Sequence, residues 1–209
     1  REIEDVTRLC EHLGIDELAV LRFFPQGRGT LYREELELGV GEFTNLLREI
    51  VRLKKISGPK THIRTGCPLS FCRLFDDSLP SNECKAARLT CTITASGDVV
   101  PCPAFKWRGT YSAGNIFEMS FRTIWEQGTH WEALRVFEET RIAGPCRRCA
   151  HIDWCKGRCA AQRIDAHGSV EIGPDPHCPM AYLRRNNMQR EVEAVSHGRG
   201  ATRVSEAYP

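Results

Sequence analysis

The chain has 209 residues, 41% of them hydrophobic, with 29 basic and 27 acidic side chains and a net charge of +2. That balance gives no electrostatic footprint for nucleic acid and no bias toward acidic substrates. No apolar run reaches membrane-spanning length and no secretory signal opens the chain, so a cytoplasmic protein with no membrane partner is expected. From Arg1 to Leu13, the residues Ile3, Val6, Leu9, Cys10 and Leu13 recur at helical spacing, and Gly14 follows as a stop. Cys10 falls on the apolar side and reads as a buried free thiol. The chain starts at Arg1 directly in this helical pattern, which predicts that an N-terminal part of a longer protein precedes it. Glu17 to Phe23 is a short apolar run suited to a buried parallel strand, and residues 25–29 make a loop. A long helix is predicted from about Arg33 to Lys55, interrupted near Gly39 to Gly41 and ended by Gly58-Pro59, with a second strand over Thr61 to Arg64. These are one or two α/β repeats, too few to close a barrel or complete an open sheet.

Residues 67–83 read as a connector that carries Cys67 and Cys72. From Cys84 the character changes. Short strands are predicted over Leu89 to Thr94 and Val99 to Cys102, joined by a hairpin turn at Ser96-Gly97-Asp98, where glycine accepts positive φ. Gly114-Asn115 marks another turn. Ser120 caps a helix that runs to about Gln127, with Phe121, Ile124 and Trp125 as its apolar face. A further helix covers about Trp131 to Glu139. After the cysteine-rich segment comes a loop over Gly173 to Pro179, a last helix over Met180 to Glu193, and a polar end from about Ser196.

Eleven cysteines, an odd number without a signal sequence, fit a reducing cytosol and thiolate-bound metal better than a disulfide scaffold. Cys146, Cys149, Cys155 and Cys159 form C-x2-C-x5-C-x3-C, framed by Cys84, Cys102 and Cys178. These exceed one four-ligand site and fall one short of two. Zinc would take four of them in a closed tetrahedron, whereas an iron–sulfur cluster takes four cysteines in loops whose amides can bond its sulfides. The surplus of cysteines favours clusters, as do the prolines in Cys67-Pro68, Pro101-Cys102-Pro103 and Cys178-Pro179. Gly157 inside the C-x3-C unit points the same way.

The order Cys84, Gly97, Cys102, C-x2-C-x5-C-x3-C and Cys178 resembles the SPASM domain, the C-terminal auxiliary-cluster domain of radical S-adenosylmethionine (SAM) enzymes. Gly114-Asn115-Ile116, the Ile124-Trp125 pair and Asp175-Pro176-His177-Cys178-Pro179 agree with it. Residues 1–65 resemble, less specifically, the last units of that family's partial (β/α)6 barrel. The resemblance implies an α/β barrel fragment over 1–66, a connector over 67–83, and a small α+β, loop-rich cluster domain with a hairpin over 84–179. A C-terminal helix and frayed tail follow over 180–209. It assigns Cys84, Cys102 and Cys159 to a first auxiliary cluster and Cys146, Cys149, Cys155 and Cys178 to a second. Cys91 is the candidate fourth ligand of the first, or a plain strand residue. Cys67 and Cys72 stay unassigned. Both clusters are expected as [4Fe–4S], the first with [2Fe–2S] or an open iron as alternatives.

Arg22 and Arg28 lie at a strand's C-terminal end, where the resemblance turns them toward SAM or substrate and where an ion-paired loop is the plain alternative. His151, His177 and Asp153 read as neighbours of ligands rather than ligands, and Trp107, Trp125, Trp131 and Trp154 as core or cluster cover. The chain lacks the C-x3-C-x2-C triplet of the family's SAM cluster; Cys155 and Cys159 have its first spacing, but Gln162 stands third. It should therefore not bind and cleave SAM alone, and SAM with a third [4Fe–4S] cluster belongs to a longer chain. Arg158 stands where many members carry a second glycine. The implied function is the C-terminal part of a radical maturase. Its expected partners are the N-terminal barrel half or a separate radical enzyme, a flavodoxin- or ferredoxin-type reductant, and a peptide or small-molecule substrate. A structural zinc module and a stand-alone electron-transfer partner are the alternatives.

Overall fold

The computed structural model describes residues 2–56, 61–81, 83–128, 131–135 and 142–185. In chain order it forms helix α1 (Ile3–His12), strand β1 (Glu17–Val20), a 3-10 stretch over Gly27–Tyr32, α2 (Arg33–Leu36), α3 (Val40–Ile56), β2 (His62–Thr65) and a second 3-10 stretch over Cys67–Leu74. Next come β3 (Thr92–Ile93), β4 (Val99–Val100), 3-10 turns at Pro103–Phe105 and Gly109–Tyr111, α4 (Phe121–Gln127) and α5 (Glu132–Arg135). A 3-10 turn at Gly144–Arg148, α6 (Ile152–Cys155), α7 (Ala160–His167) and α8 (Pro179–Arg185) complete the order. The chain is mixed α/β with small sheets. It divides into one compact unit of residues 1–22, 38–82 and 176–209, and another of residues 23–37 and 83–175. The stop at Gly58-Pro59, the predicted helix beyond Arg135 and the polar end lie outside the described residues. Among the described residues no helix is long and apolar enough to cross a membrane.

In the first unit, β1 pairs parallel with β2, Glu17 opposite His62 and Val20 opposite Thr65. The Thr61 hydroxyl donates to Ile15 O at 2.7 Å and fixes this register at the entry to the pair. The predicted break in the long helix falls at Glu37, whose backbone is extended, so α2 and α3 are separate. The 3.6-residue period of α3 gathers Phe43, Leu47, Ile50, Val51 and Leu53 on one face. That face packs on the stretch Cys67–Leu74, where Leu69, Phe71, Cys72 and Leu74 are buried and Phe71 meets Phe43 edge-on at 6.4 Å. Residues read from the sequence as connector are thus core, because their apolar side chains outweigh the missing periodicity. Each fully buried leucine or phenylalanine here contributes about 1.5–3 kcal/mol. α8 adds Met180 and Leu183 to the core. The Tyr182 ring lies 3.1 Å from where a Cβ on Gly41 would stand, so a larger residue there would press the ring back by a few tenths of an ångström. α1 departs from expectation. It buries Thr7 and leaves Val6, Leu9 and Leu13 exposed, and Cys10 is half-buried rather than buried.

In the second unit, β3 and β4 form an antiparallel hairpin with Thr92 opposite Val100. Residues 113–116 extend it, Ala113 N–H donating to Val99 O and Ile116 N–H to Gly97 O. The predicted strand from Leu89 shrinks to Thr92–Ile93 because the amides of Arg88, Leu89 and Thr90 all turn back onto Lys85 O. Val99, Val100, Phe105, Ile124, Trp131, Leu134 and Ile164 make the core. Ser120 caps α4 through the Thr123 amide at 3.1 Å. Of the predicted apolar face, Ile124 is buried and Trp125 packs against the core, but Phe121 is half-exposed. The Arg135 guanidinium stacks on Trp125 and Trp131, 5.2 and 5.3 Å from their ring centres, and its Nε donates to Ala87 O.

Gly97 holds φ +87°, and a Cβ there would stand 2.6 Å from Asn115 Oδ1 and the Phe117 ring. Gly97→Ala is expected to cost about 1–3 kcal/mol, read as a lower thermal midpoint of the second unit; an unmoved midpoint contradicts the packing at this turn. The Cys72 thiol is pushed up to about 12 by burial, with Lys54 opposing. An unfolded cysteine titrates near about 8.5. The folded state therefore keeps a proton that the unfolded state releases above that pH, and stability falls by about 1.4 kcal/mol per pH unit as pH rises between the two values. Cys72→Val should flatten the fall of the urea midpoint above pH 9 by one proton's worth. An unchanged slope sinks the assignment.

Candidate metal centre

The predicted cysteines gather in two places in the second unit. Cys159 is buried in the core, with Cys84, Cys91 and Cys102 packed against the same cluster of residues. Backbone bonds bring the two chain segments together. Ala87, buried and left-handed at φ +59°, donates its N–H to Thr90 O and Pro101 O, tying the loop after Cys84 to the strand before Cys102. Cys102 lies in extended backbone between its prolines and opens a 3-10 turn, the Phe105 amide closing onto its carbonyl at 2.9 Å. Burial pushes the Cys102 thiol up to about 11, the neighbouring Cys84 charge adds to this, and the Ala104 and Phe105 amides oppose it. Burial also raises Cys91.

The second gathering holds Cys146, Cys149 and Cys155. Their loop is a chain of short backbone turns, Cys149 N–H to Cys146 O, Ile152 N–H to Cys149 O and Cys155 N–H to His151 O. Cys146 donates its Sγ–H to Gly173 O at 3.6 Å. Burial pushes Cys146 up to about 11 and raises Cys155; nearby cysteine charges add to both shifts. Arg163 opposes the shift of Cys146, and Arg158 that of Cys155 through its charge and a hydrogen bond. Lys156, Gly157 and Arg158 follow at φ +50°, +72° and +58°, three left-handed residues in succession between Cys155 and Cys159. The next helix begins at once, the Cys159 amide donating to Asp175 Oδ2 at 3.3 Å. Trp154, Arg158, Leu134 and Arg88 line a recess that also reaches Cys84 and Cys155.

Cys178 lies in the first unit, half-buried just ahead of α8. Beside it, Arg22 Nη2 donates to His177 Nδ1 at 2.6 Å. Arginine has no acceptor, so His177 is the Nε2–H tautomer and donates to Leu38 O at 2.9 Å. Arg22 also lies over the Phe43 ring, so it is engaged within its own unit, while Arg28 is exposed on the stretch Gly27–Tyr32. Trp131 is core, Trp154 lines the recess with half-buried His151 beside it, and Trp107 is exposed rather than covering a site. The Cys67 side chain lies outside the described residues. Among the described residues no three Cys, His, Asp or Glu side chains form a group that would hold one metal ion. Sequence reasoning missed Arg163 and the helix α7 that carries it. The signal was Gly168, a left-handed C-terminal stop closing onto Ile164 O.

A Cβ on Gly157 would stand 2.3 Å from Arg163 Nη1, at a left-handed φ. Gly157→Ala is expected to destabilise the second unit by about 2–4 kcal/mol and to make Cys155 alkylate faster in the metal-free protein. Wild-type labelling rates in that variant contradict the packing.

Residues 84–150 match the family model of the SPASM iron–sulfur cluster-binding domain. The chain is 39% identical over 98 residues to the mycofactocin maturase MftC of Mycolicibacterium smegmatis, covering 46% of this chain and 24% of that one. The mycofactocin maturase of Mycobacterium ulcerans is 29% identical over 185 residues, 87% of this chain and 47% of that one. The chain thus spans less than half the length of these relatives. The fold is similar to that of anSMEcpe, solved with bound AdoMet (SAM) and the Cp18Cys peptide, with TM-score 0.60, 18% identity, and coverage of 94% of this chain and 55% of that one. Residues 84–150 thus match a SPASM iron–sulfur cluster-binding domain, and the chain as a whole is similar to mycofactocin maturases in sequence and to anSMEcpe in fold.

Proposed function

We propose that this chain is the auxiliary-cluster portion of a radical SAM maturase acting on a peptide or a cofactor precursor. The observation that carries the reading is the separation of the cysteines into two gatherings, with Cys155 and Cys159, four residues apart, on opposite sides of one left-handed turn. On this reading Cys84, Cys102 and Cys159 hold a first [4Fe–4S] cluster, with Cys91 its candidate fourth ligand; [2Fe–2S] or an open iron are the variants. Cys146, Cys149, Cys155 and Cys178 hold a second. The donor set fits such groups. The thiols are soft ligands, Cys146 and Cys159 buried and the others half-buried, and buried arginines offset the charge they carry as thiolates.

Bound clusters supply one-electron chemistry, and burial with local hydrogen bonding sets its potential. The protein's part is to exclude water, fix the ligand loops by the turns around Cys102 and Cys146, and hold positive charge beside Cys146 and Cys155. Residues 1–66 serve as the last units of a partial (β/α)6 barrel. β1 and β2 pair in parallel, and exposed Val6, Leu9 and Leu13 on α1 offer an apolar face to further units. SAM cleavage needs the C-x3-C-x2-C triplet that this sequence lacks, so it belongs to a longer chain or a separate radical protein. A reductant of the flavodoxin or ferredoxin type and a peptide substrate complete the reading. The likeness to mycofactocin maturases supports the maturase class.

Anaerobic reconstitution should give about eight irons and eight sulfides per chain in brown protein. Cys102→Ala and Cys155→Ala should each remove about half of the iron and leave the remainder. One or two zincs without sulfide would falsify the cluster reading and leave a metal-stapled interaction domain.

A further inference from the structure

Taking a guanidinium out of water costs several kcal/mol, so arginine is seldom fully buried unless negative charge answers it. The second unit buries two arginines within six residues, Arg163 at 0% exposure and Arg158 at 3%. Both are pinned. Arg163 donates its Nε to Gly173 O at 2.9 Å, the same carbonyl that takes the Cys146 Sγ–H, and its guanidinium packs on Gly157. Arg158 donates Nη2 to Trp154 O and stacks over the Trp154 ring at 5.5 Å. Their charges act on the same sulfurs, Arg163 on Cys146 and Cys155, and Arg158 on Cys155 by charge and hydrogen bond. Asp175 and Glu171 also face Arg163 and answer part of its charge.

The backbone makes the choice of Arg158 conspicuous. At φ +58° a residue with a Cβ is strained, and glycine is the unstrained occupant. The position therefore keeps a strained arginine whose side chain is buried against a ligand thiol.

We propose that Arg158 and Arg163 are a fixed pair of counter-charges for the Cys146–Cys149–Cys155 set, and that they hold the reduction potential of the cluster bound there above the value the same cysteines would give alone. The inference rests on the cluster reading above. A reduced cluster carries one more negative charge than its oxidised form, so a nearby fixed cation stabilises the reduced state more. Neither arginine reacts. They are positioning residues that act through charge.

The test is a redox titration of the reconstituted full chain, followed by electron paramagnetic resonance. The relevant couple is the one that Cys155→Ala removes. Arg158→Gly should relieve backbone strain, leave iron content at the wild-type level, and shift the one-electron equilibrium at least tenfold toward the oxidised form, a fall of about 59 mV. Arg158→Lys and Arg163→Lys should stay near wild type, and Arg163→Met should fall like Arg158→Gly. An unmoved potential in Arg158→Gly, or a fall as large in Arg158→Lys, overturns the proposal whether or not Arg163→Met loads iron. Zinc without sulfide in the wild type overturns both readings, whereas full iron with unmoved variants overturns only this one.

Discussion

Between Cys155 and Cys159 the backbone runs left-handed for three residues, two of which are not glycine. Right-handed geometry is the default for L-residues, and each exception costs about 1–2 kcal/mol. The second unit is organised around this exception. A continued helix through residues 152–163 would set Cys155 and Cys159 one turn apart on a single face, both facing the same surroundings. The left-handed run instead ends α6 at Cys155 and restarts the chain as α7 at Ala160. Cys159 then lies in the core that also receives Cys84 and Cys102. Gly157 is the one residue of the three with no Cβ, and it sits where the Arg163 guanidinium packs closest.

How such a turn is sustained follows from what surrounds it. Asp175 Oδ2 accepts the Cys159 amide, and Gly173 O accepts from both Cys146 and Arg163. Ala143 N–H donates to Glu171 O, closing the approach to Cys146. These groups all come from residues 171–175, so a stretch that reads as a plain loop acts as the polar lining of the cysteine-rich segment. Strain at Lys156 and Arg158 is tolerated because satisfied hydrogen bonds and a buried charge network over-determine the conformation.

Much of this was legible in the sequence, for identifiable reasons. The spacing of thiols is a linear property, and the intervals among Cys84, Gly97, Cys102 and Cys146 to Cys159 carried the SPASM resemblance without any fold. The apolar period of α3, the Ser120 cap and the hairpin at Gly97 are local and were equally readable. What escaped was non-local. The stretch Cys67–Leu74 has no clean period, and only its contact with α3 makes it core. Phe121 and Trp107 are aromatic yet exposed, since composition does not say which side a partner occupies. Arg163 stands in no predicted element, and its burial follows only from Gly157 and Gly173 being brought against it. The left-handed backbone at Arg158 was invisible because arginine gives no sign of positive φ.

The two units are not two segments. Residues 23–37 leave the first for the second, residues 38–82 return, and residues 176–185 come back once more after the cysteine-rich region. The stretch that matches the family model, 84–150, therefore contains neither α7 with Arg163 nor the residues at 171–175 that line its loop, and it lacks the 23–37 segment as well. No continuous cut releases either unit whole. On a ribosome, the first unit waits for α8 and the second for Asp175, so nearly all of the chain must emerge before either core can close. The cysteines made early in synthesis therefore wait for residues 171–175, which arrive last in the second unit, before their polar lining is complete.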